Sequence, residues 1–150
     1  MDDLSELYQQ VILDHSKSPR NFRVLEGANR TAQGHNPLCG DNVMLYLCLE
    51  DGIVKEISFQ GSGCAISRAS ASILTTVLKG KTVEQVKALF NIVHELVTVG
   101  TVSDDVGKLA VFAGVHKFPA RVKCAILPWH AALAAVEGKS GAVNTESQAA

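Results

Sequence analysis

Asp41-Asn42-Val43-Met44-Leu45-Tyr46-Leu47-Cys48-Leu49-Glu50-Asp51-Gly52-Ile53-Val54-Lys55-Glu56-Ile57-Ser58-Phe59 is the stretch whose reading decides the fold. Val43, Leu45, Leu47 and Leu49 alternate with Met44, Tyr46 and Cys48, the two-residue period of a strand that is apolar on both faces. Asp51-Gly52 is a hairpin turn signal, and Ile53, Lys55, Ile57 and Phe59 resume the alternation on the return. An antiparallel hairpin is therefore expected at the centre of the fold.

Upstream of the hairpin, residues 22–38 are rich in Gly, Asn and Pro and read as loop, with a short strand near Phe22 to Leu25, and this loop delivers Cys39. Before it, Leu4, Leu7, Tyr8, Val11 and Ile12 recur at helical spacing, with Asp2, Asp3 or Ser5 available as caps. That helix should stop before Ser18-Pro19, because the residue ahead of a proline is pushed out of the helical region.

Downstream, Gly61-Ser62-Gly63 breaks the second strand. Ala65, Ile66, Ala69, Ile73, Leu74, Val77 and Leu78 then form the buried stripe of a helix over 64–79, which places Cys64 at its N-terminus. Thr82-Val83-Glu84-Gln85 matches a capping box and opens another helix. The β-branched run through 91–103 fits either a continuation of that helix or a loop. A further helix is expected from Asp104 to Gly114, and a last one over much of 120–137, where Pro128 either kinks the helix or marks its first turn.

Residues 138–150 carry almost no large apolar side chains and read as a disordered tail after a single domain spanning 1–137. The order of elements predicts an α+β domain with helices packed on one face of a small antiparallel sheet.

With 47% hydrophobic residues the chain can build a core, and a net charge of −1 with scattered basic residues offers no stripe for a phosphate backbone. Nucleic acid is not an expected partner. No apolar run approaches the roughly 20 residues a membrane helix needs. The opening residues are acidic and lack the order of a secretory signal, so a cytoplasmic setting is expected. There four cysteines serve metals or catalysis more often than disulfides.

Asn36-Pro37-Leu38-Cys39-Gly40-Asp41 sets a thiol and a carboxylate two residues apart around a glycine. Cys64 opens a helix, where exposed amides favour a thiolate, and Cys124 follows the cations Arg121 and Lys123, which should act the same way. Cys39, Asp41, Cys64 and Cys124 could thus share one metal. A Cys₃Asp set suits Zn²⁺ and also a [2Fe–2S] cluster, which a carboxylate ligand would make easier to release.

With no paired CxxC, spacing alone leaves room for cysteines that merely fill space. That reading suits Cys48, between Leu47 and Leu49. It is the lesser reading for Cys39, and Cys64 and Cys124 lie between. His15, His35, His94, His116 and His130 read as ordinary surface or hydrogen-bonded histidines, with His35 and His116 as reserve ligands. Trp129 reads as core. A hydrolytic zinc site is not expected, since no HExxH or comparable pattern occurs.

Taken together, these residues resemble the IscU/SufU (NifU N-terminal-like) family of iron–sulfur cluster assembly proteins. The likeness runs from Tyr8 through Leu13-Asp14-His15 and Pro19-Arg20-Asn21, includes Asn36 to Asp41 and Gly61 to Ser67, and ends with Arg121-Val122-Lys123-Cys124-Ala125 and Trp129. The resemblance implies a three-stranded antiparallel sheet with helices. Lys123 stands where IscU-type scaffolds carry a histidine, the stretch between Cys64 and Cys124 is longer, and Phe118-Pro119-Ala120-Arg121-Val122 replaces the segment a chaperone would recognise.

These features resemble the SufU branch and imply a zinc-dependent sulfurtransferase. In that reading Cys39, Asp41, Cys64 and Cys124 are the ligands. Cys39 accepts persulfide sulfur from a SufS-like cysteine desulfurase for relay to a downstream cluster scaffold, with Arg121 aiding docking or transfer. The competing readings are a scaffold on which a [2Fe–2S] cluster is built and handed on, and a protein whose zinc is structural and whose surface regulates a partner.

Overall fold

The structure is a computed structural model that describes residues 3–103, 106–138 and 142–144. Helix α1 spans Asp3–Lys17, and strands β1 (Arg30–Asn36), β2 (Asp41–Glu50) and β3 (Ile53–Ser62) follow as an antiparallel meander. Helices α2 (Ala65–Leu78), α3 (Val83–Thr98) and α4 (Pro119–Val136) come next, then a short strand β4 (Ala142–Asn144). The sheet order is β3-β2-β1-β4. Among the described residues no helix is long and apolar enough to cross a membrane.

The β2–β3 hairpin forms as its alternation predicts. Asp51 and Gly52 take φ of 53° and 73°, the left-handed pair whose twist matches the flanking strands. Val43, Leu45 and Leu47 of β2 and Ile57 and Phe59 of β3 point into the core, against Ile73, Leu74 and Leu78 of α2 and Ile126, Leu127 and Trp129 of α4. The alternate residues Met44, Tyr46 and Cys48 are only half-buried on the other face, where the Tyr46 hydroxyl donates to Gln60 Oε1 at 3.1 Å.

Helix α4 is buried on nearly all sides, packed against β1, β2, α2 and α3, and this explains a sequence that is apolar all round instead of striped. Pro119 takes the first helical position and Pro128 lies inside the helix, where it removes the N–H that would bond the Cys124 carbonyl. Ser70 of α2 donates to the neighbouring carbonyl of Ala125 at 2.6 Å, so the two central helices are tied together beside that break.

Helix α1 is held on α2 by the buried Ser72 hydroxyl, 2.7 Å from His15 Nδ1 and accepting the Arg20 N–H at 2.8 Å. The capping box at α3 is present in both directions, Gln85 N–H to Thr82 Oγ1 at 3.1 Å and Thr82 N–H to Gln85 Oε1 at 2.9 Å, an arrangement worth about 1 kcal/mol.

Some segments differ from expectation, and one left open is decided. Residues 30–36, read as loop, form β1, whose inward positions are the small or polar residues Ala32, Gly34 and Asn36. The strand expected near Phe22 is reduced to a single bridge to Phe59. The β-branched run that left 91–103 open continues α3 to Thr98, because Val93, Leu96 and Val97 gain burial there. The helix expected from Asp104 to Gly114 is instead a 3₁₀ segment, Gly107–Phe112, followed by a 3₁₀ turn, Val115–Lys117. Gly107 and Gly114, at φ +53° and +93°, interrupt α-helical geometry, and Asp104 and Asp105 lie outside the described residues.

In the segment expected to be a disordered tail, Ala142–Asn144 pairs in parallel with Gln33–His35 of β1. Edge pairing uses backbone groups and needs no apolar composition. The remaining residues of that segment beyond Gly138 lie outside the description.

Candidate metal centre

The pleat that fills the core also builds the site. Inward positions of β1 run Ala32, Gly34, Asn36, and those of β2 run Asp41, Val43, Leu45, Leu47, so the inward rows end in an amide and a carboxylate, both fully buried. Asn36 and Asp41 face each other in register, and Pro37-Leu38-Cys39-Gly40 connects them as an exposed turn. On the far side of β2, Ser62 pairs with Asn42, so the chain leaving β3 passes Asp41 before entering α2 at Cys64. Helix α4 brings the buried Cys124 from behind.

The Sγ atoms of Cys39 and Cys124 and a carboxylate oxygen of Asp41 all lie within 4.8 Å of one another. Cys64 stands next to this group without belonging to it. Its Sγ is 4.0 Å from Asp41 Oδ2, and its main-chain N–H donates to Asp41 Oδ1 at 2.8 Å. The Asn36 amide donates to Asp41 Oδ2 at 3.2 Å and to Cys124 Sγ at 3.7 Å. Gly63 is required by this contact, since a Cβ there would run into Asp41 Oδ1 and Ser67 Oγ.

The thiols of Cys64 and Cys124 behave as a pair. A hydrogen bond from the Cys124 thiol lowers the pKa of Cys64 to about 6, helped by the Ser67 and Ile66 amides at the start of α2 and opposed by burial and by Asp41. Cys124 is pushed in the opposite direction, because its proton is held between Cys64 and Asp41 in a buried setting. The expectation that Arg121 and Lys123 would activate Cys124 is therefore corrected. Arg121 is exposed and its guanidinium lies over the Phe118 ring, 4.4 Å from the centroid, and the thiol itself faces inward. Without metal, the pairing favours negative charge on Cys64 over Cys124.

The remaining residues singled out by sequence take other places. His35 Nδ1 is 2.9 Å from Asn42 Oδ1, His94 and His130 flank Phe90, and His116 sits on the 3₁₀ turn before α4. None of them joins the metal-compatible group, which is the one such group among the described residues. Trp129 is in the core, as read. Cys48, read as a space-filler, lies half-exposed on the outer face of β2. Asn36 was missed as a site residue. The signal available was its place in the same short segment as Cys39 and Asp41, with β1 unrecognised and the inward direction of Asn36 therefore hidden.

Two thiols and a carboxylate this close, with a third thiol alongside, form a donor set that could hold a metal ion, and the preponderance of sulfur suits a borderline-soft cation or an iron–sulfur cluster over Mg²⁺ or Ca²⁺. The buried Asp41 carboxylate accepts from the Asn36 amide and the Cys64 main-chain N–H, with the Cys64 Sγ 4.0 Å from its Oδ2.

Residues 7–125 match the family described as NifU-like N terminal domain. The Bacillus subtilis protein named zinc-dependent sulfurtransferase SufU is 42% identical over 131 residues, covering 86% of this chain and 88% of that protein. The Streptococcus pyogenes serotype M1 iron–sulfur cluster assembly scaffold protein IscU is 35% identical over 150 residues, covering 99% and 94%. Among solved structures, a candidate SUF-system cluster assembly scaffold from Fervidobacterium islandicum AW-1 superposes with a TM-score of 0.81 at 30% identity, covering 87% of this chain and 97% of that one.

Proposed function

Because the chain belongs to the NifU-like N-terminal domain family, we propose that it serves iron–sulfur cluster assembly in the cytoplasm as a zinc-dependent sulfurtransferase. It takes persulfide sulfur from a cysteine desulfurase and passes it to a downstream cluster scaffold. The observation that carries this reading is the asymmetry of the site: Asp41 and Cys124 are buried, whereas Cys39, within 4.8 Å of both, sits on an exposed turn. A purely structural site has no need of one exposed sulfur.

Cys39, Asp41, Cys64 and Cys124 would hold the zinc, whose charge keeps bound cysteines as thiolates at neutral pH. In the transfer step the Cys39 thiolate attacks the outer sulfur of the desulfurase persulfide. A new S–S bond forms on Cys39, the old one breaks, and the desulfurase cysteine leaves as a thiolate, so no external oxidant or reductant is required. Leu38, 67% exposed beside Cys39, offers the incoming partner an apolar contact. Arg121, one helical turn before Cys124 and exposed, supplies a cation for docking or for the anionic persulfide.

The test is elemental analysis of protein purified under reducing conditions, followed by desulfurase turnover with and without it, using Cys39→Ala as the comparison. One zinc per chain and a stimulation lost in Cys39→Ala are expected. Equal stimulation by the variant would end the relay reading. The names of IscU relatives such as the Streptococcus protein favour a second reading, a transient [2Fe–2S] scaffold. Iron with acid-labile sulfide, and transfer of a reconstituted cluster to an apo-ferredoxin, would select it.

A further inference from the structure

We propose that Asn36 is a positioning residue of the metal centre, whose side-chain amide fixes Asp41 and Cys124 as the retained ligands and so makes Cys39 the ligand that lets go. The inference rests on the zinc reading above and assigns separate duties to its ligands.

Asn36 is fully buried at the end of β1, and one nitrogen, Nδ2, reaches both Asp41 Oδ2 at 3.2 Å and Cys124 Sγ at 3.7 Å. An amide nitrogen carries two hydrogens, one for each acceptor. The orientation follows from chemistry, since turning the amide over would aim its carbonyl oxygen at a carboxylate. Once a metal has displaced the Cys124 proton, a carboxylate and a thiolate lie side by side away from water, and the positive end of the amide dipole between them offsets their repulsion. It also fixes the direction of both ligands before a metal arrives, the usual work of a group hydrogen-bonded to a ligand.

Among the described residues no hydrogen bond restrains the Cys39 thiol, which lies on the four-residue turn 37–40. A thiolate that accepts an N–H bond donates less charge and attacks less readily, so the amide quiets Cys124 and leaves Cys39 reactive. The register of β1 on β2 sets this division, because it places Asn36 opposite Asp41 and puts Cys39 outside the pair.

The test compares zinc-loaded wild type with Asn36→Leu, which keeps the branched shape without the donor, and with the smaller Asn36→Ala as a second variant should the bulkier leucine disturb folding. Zinc affinity measured against a chromophoric chelator should fall about 10- to 100-fold in both variants. In cobalt-substituted protein the thiolate-to-cobalt charge-transfer band should move to lower energy, a change that altered packing alone does not require.

The third readout addresses the division of duties. After iodoacetamide blocks Cys39, native mass spectrometry should find zinc still on the wild type and lost from the variants. Affinity within threefold of wild type with an unshifted cobalt band, or the same zinc retention after labelling in all proteins, would overturn the role of Asn36 while leaving the zinc reading intact. Wild-type protein that binds neither zinc nor cobalt would overturn both.

Discussion

Replacing Gly63 by alanine should damage stability and metal binding together. Gly63 lies between the last residue of β3 and Cys64, and a Cβ there would fall 2.7 Å from Ser67 Oγ and closer still to Asp41 Oδ1. Both neighbours are committed, Ser67 Oγ donating to the Cys64 carbonyl at 3.2 Å and Asp41 Oδ1 accepting the Cys64 N–H at 2.8 Å. The carboxylate must swing away and give up that bond. A hydrogen bond to a charged group contributes about 1.5–3 kcal/mol, and because Gly63 holds φ at +157°, a conformation alanine rarely adopts, no gain from a stiffer unfolded chain offsets it.

The loss of about 1.5–3 kcal/mol corresponds to a fall in Tm of about 3–12 °C for a domain of this size. Thermal unfolding of metal-free Gly63→Ala by circular dichroism measures it, and chelator competition should show weaker zinc binding because Asp41 has moved. A Tm equal to or above that of wild type, with unchanged zinc affinity, would refute the argument that Gly63 exists to admit the carboxylate.

The paired thiols predict that, in metal-free protein, alkylation of Cys64 followed by peptide mass mapping will be half-maximal near pH 6, and that Cys124→Ala will move this midpoint upward by removing the thiol that bonds it. An unmoved midpoint would mean that the helix amides alone depress it. His130, whose Nε2 is buried without a hydrogen-bond partner among the described residues, has a pKa lowered from 6.5 by burial and by His94. The unfolded chain then binds more protons just below pH 6.5, so stability is lost as pH falls through that window. In urea titrations from pH 7.5 to 5.5, His130→Leu should show a shallower decline than wild type, and an identical decline would assign the effect elsewhere.

Local sequence was sufficient where an element's own residues state its geometry. The alternation in β2 and β3, the Asp51-Gly52 turn, the stripe of α2 and the Thr82 capping box each depend on neighbours within a few positions, and each is present as read. Cys39, Asp41 and Cys124 were legible as candidates because thiols and carboxylates in such settings carry their chemistry on their surface.

What tertiary structure alone decided is everything that depends on a distant surface. Strand β1 lacks apolar alternation because α4 passes close over it, so that Leu127 and Val43 fill the space above Gly34 and small residues are the ones that fit. Helix α3 runs through β-branched residues because burial against α4 outweighs their local preference. The reversal at Cys124 has the same origin. Cations adjacent in sequence predicted a thiolate, whereas the fold turned Arg121 to solvent and set Cys124 between Cys64 and Asp41. Residue types thus specified which groups could bind a metal, and the packing of α4 behind the β1–β2 register decided which are held, because burial and partnership are properties of the assembled core.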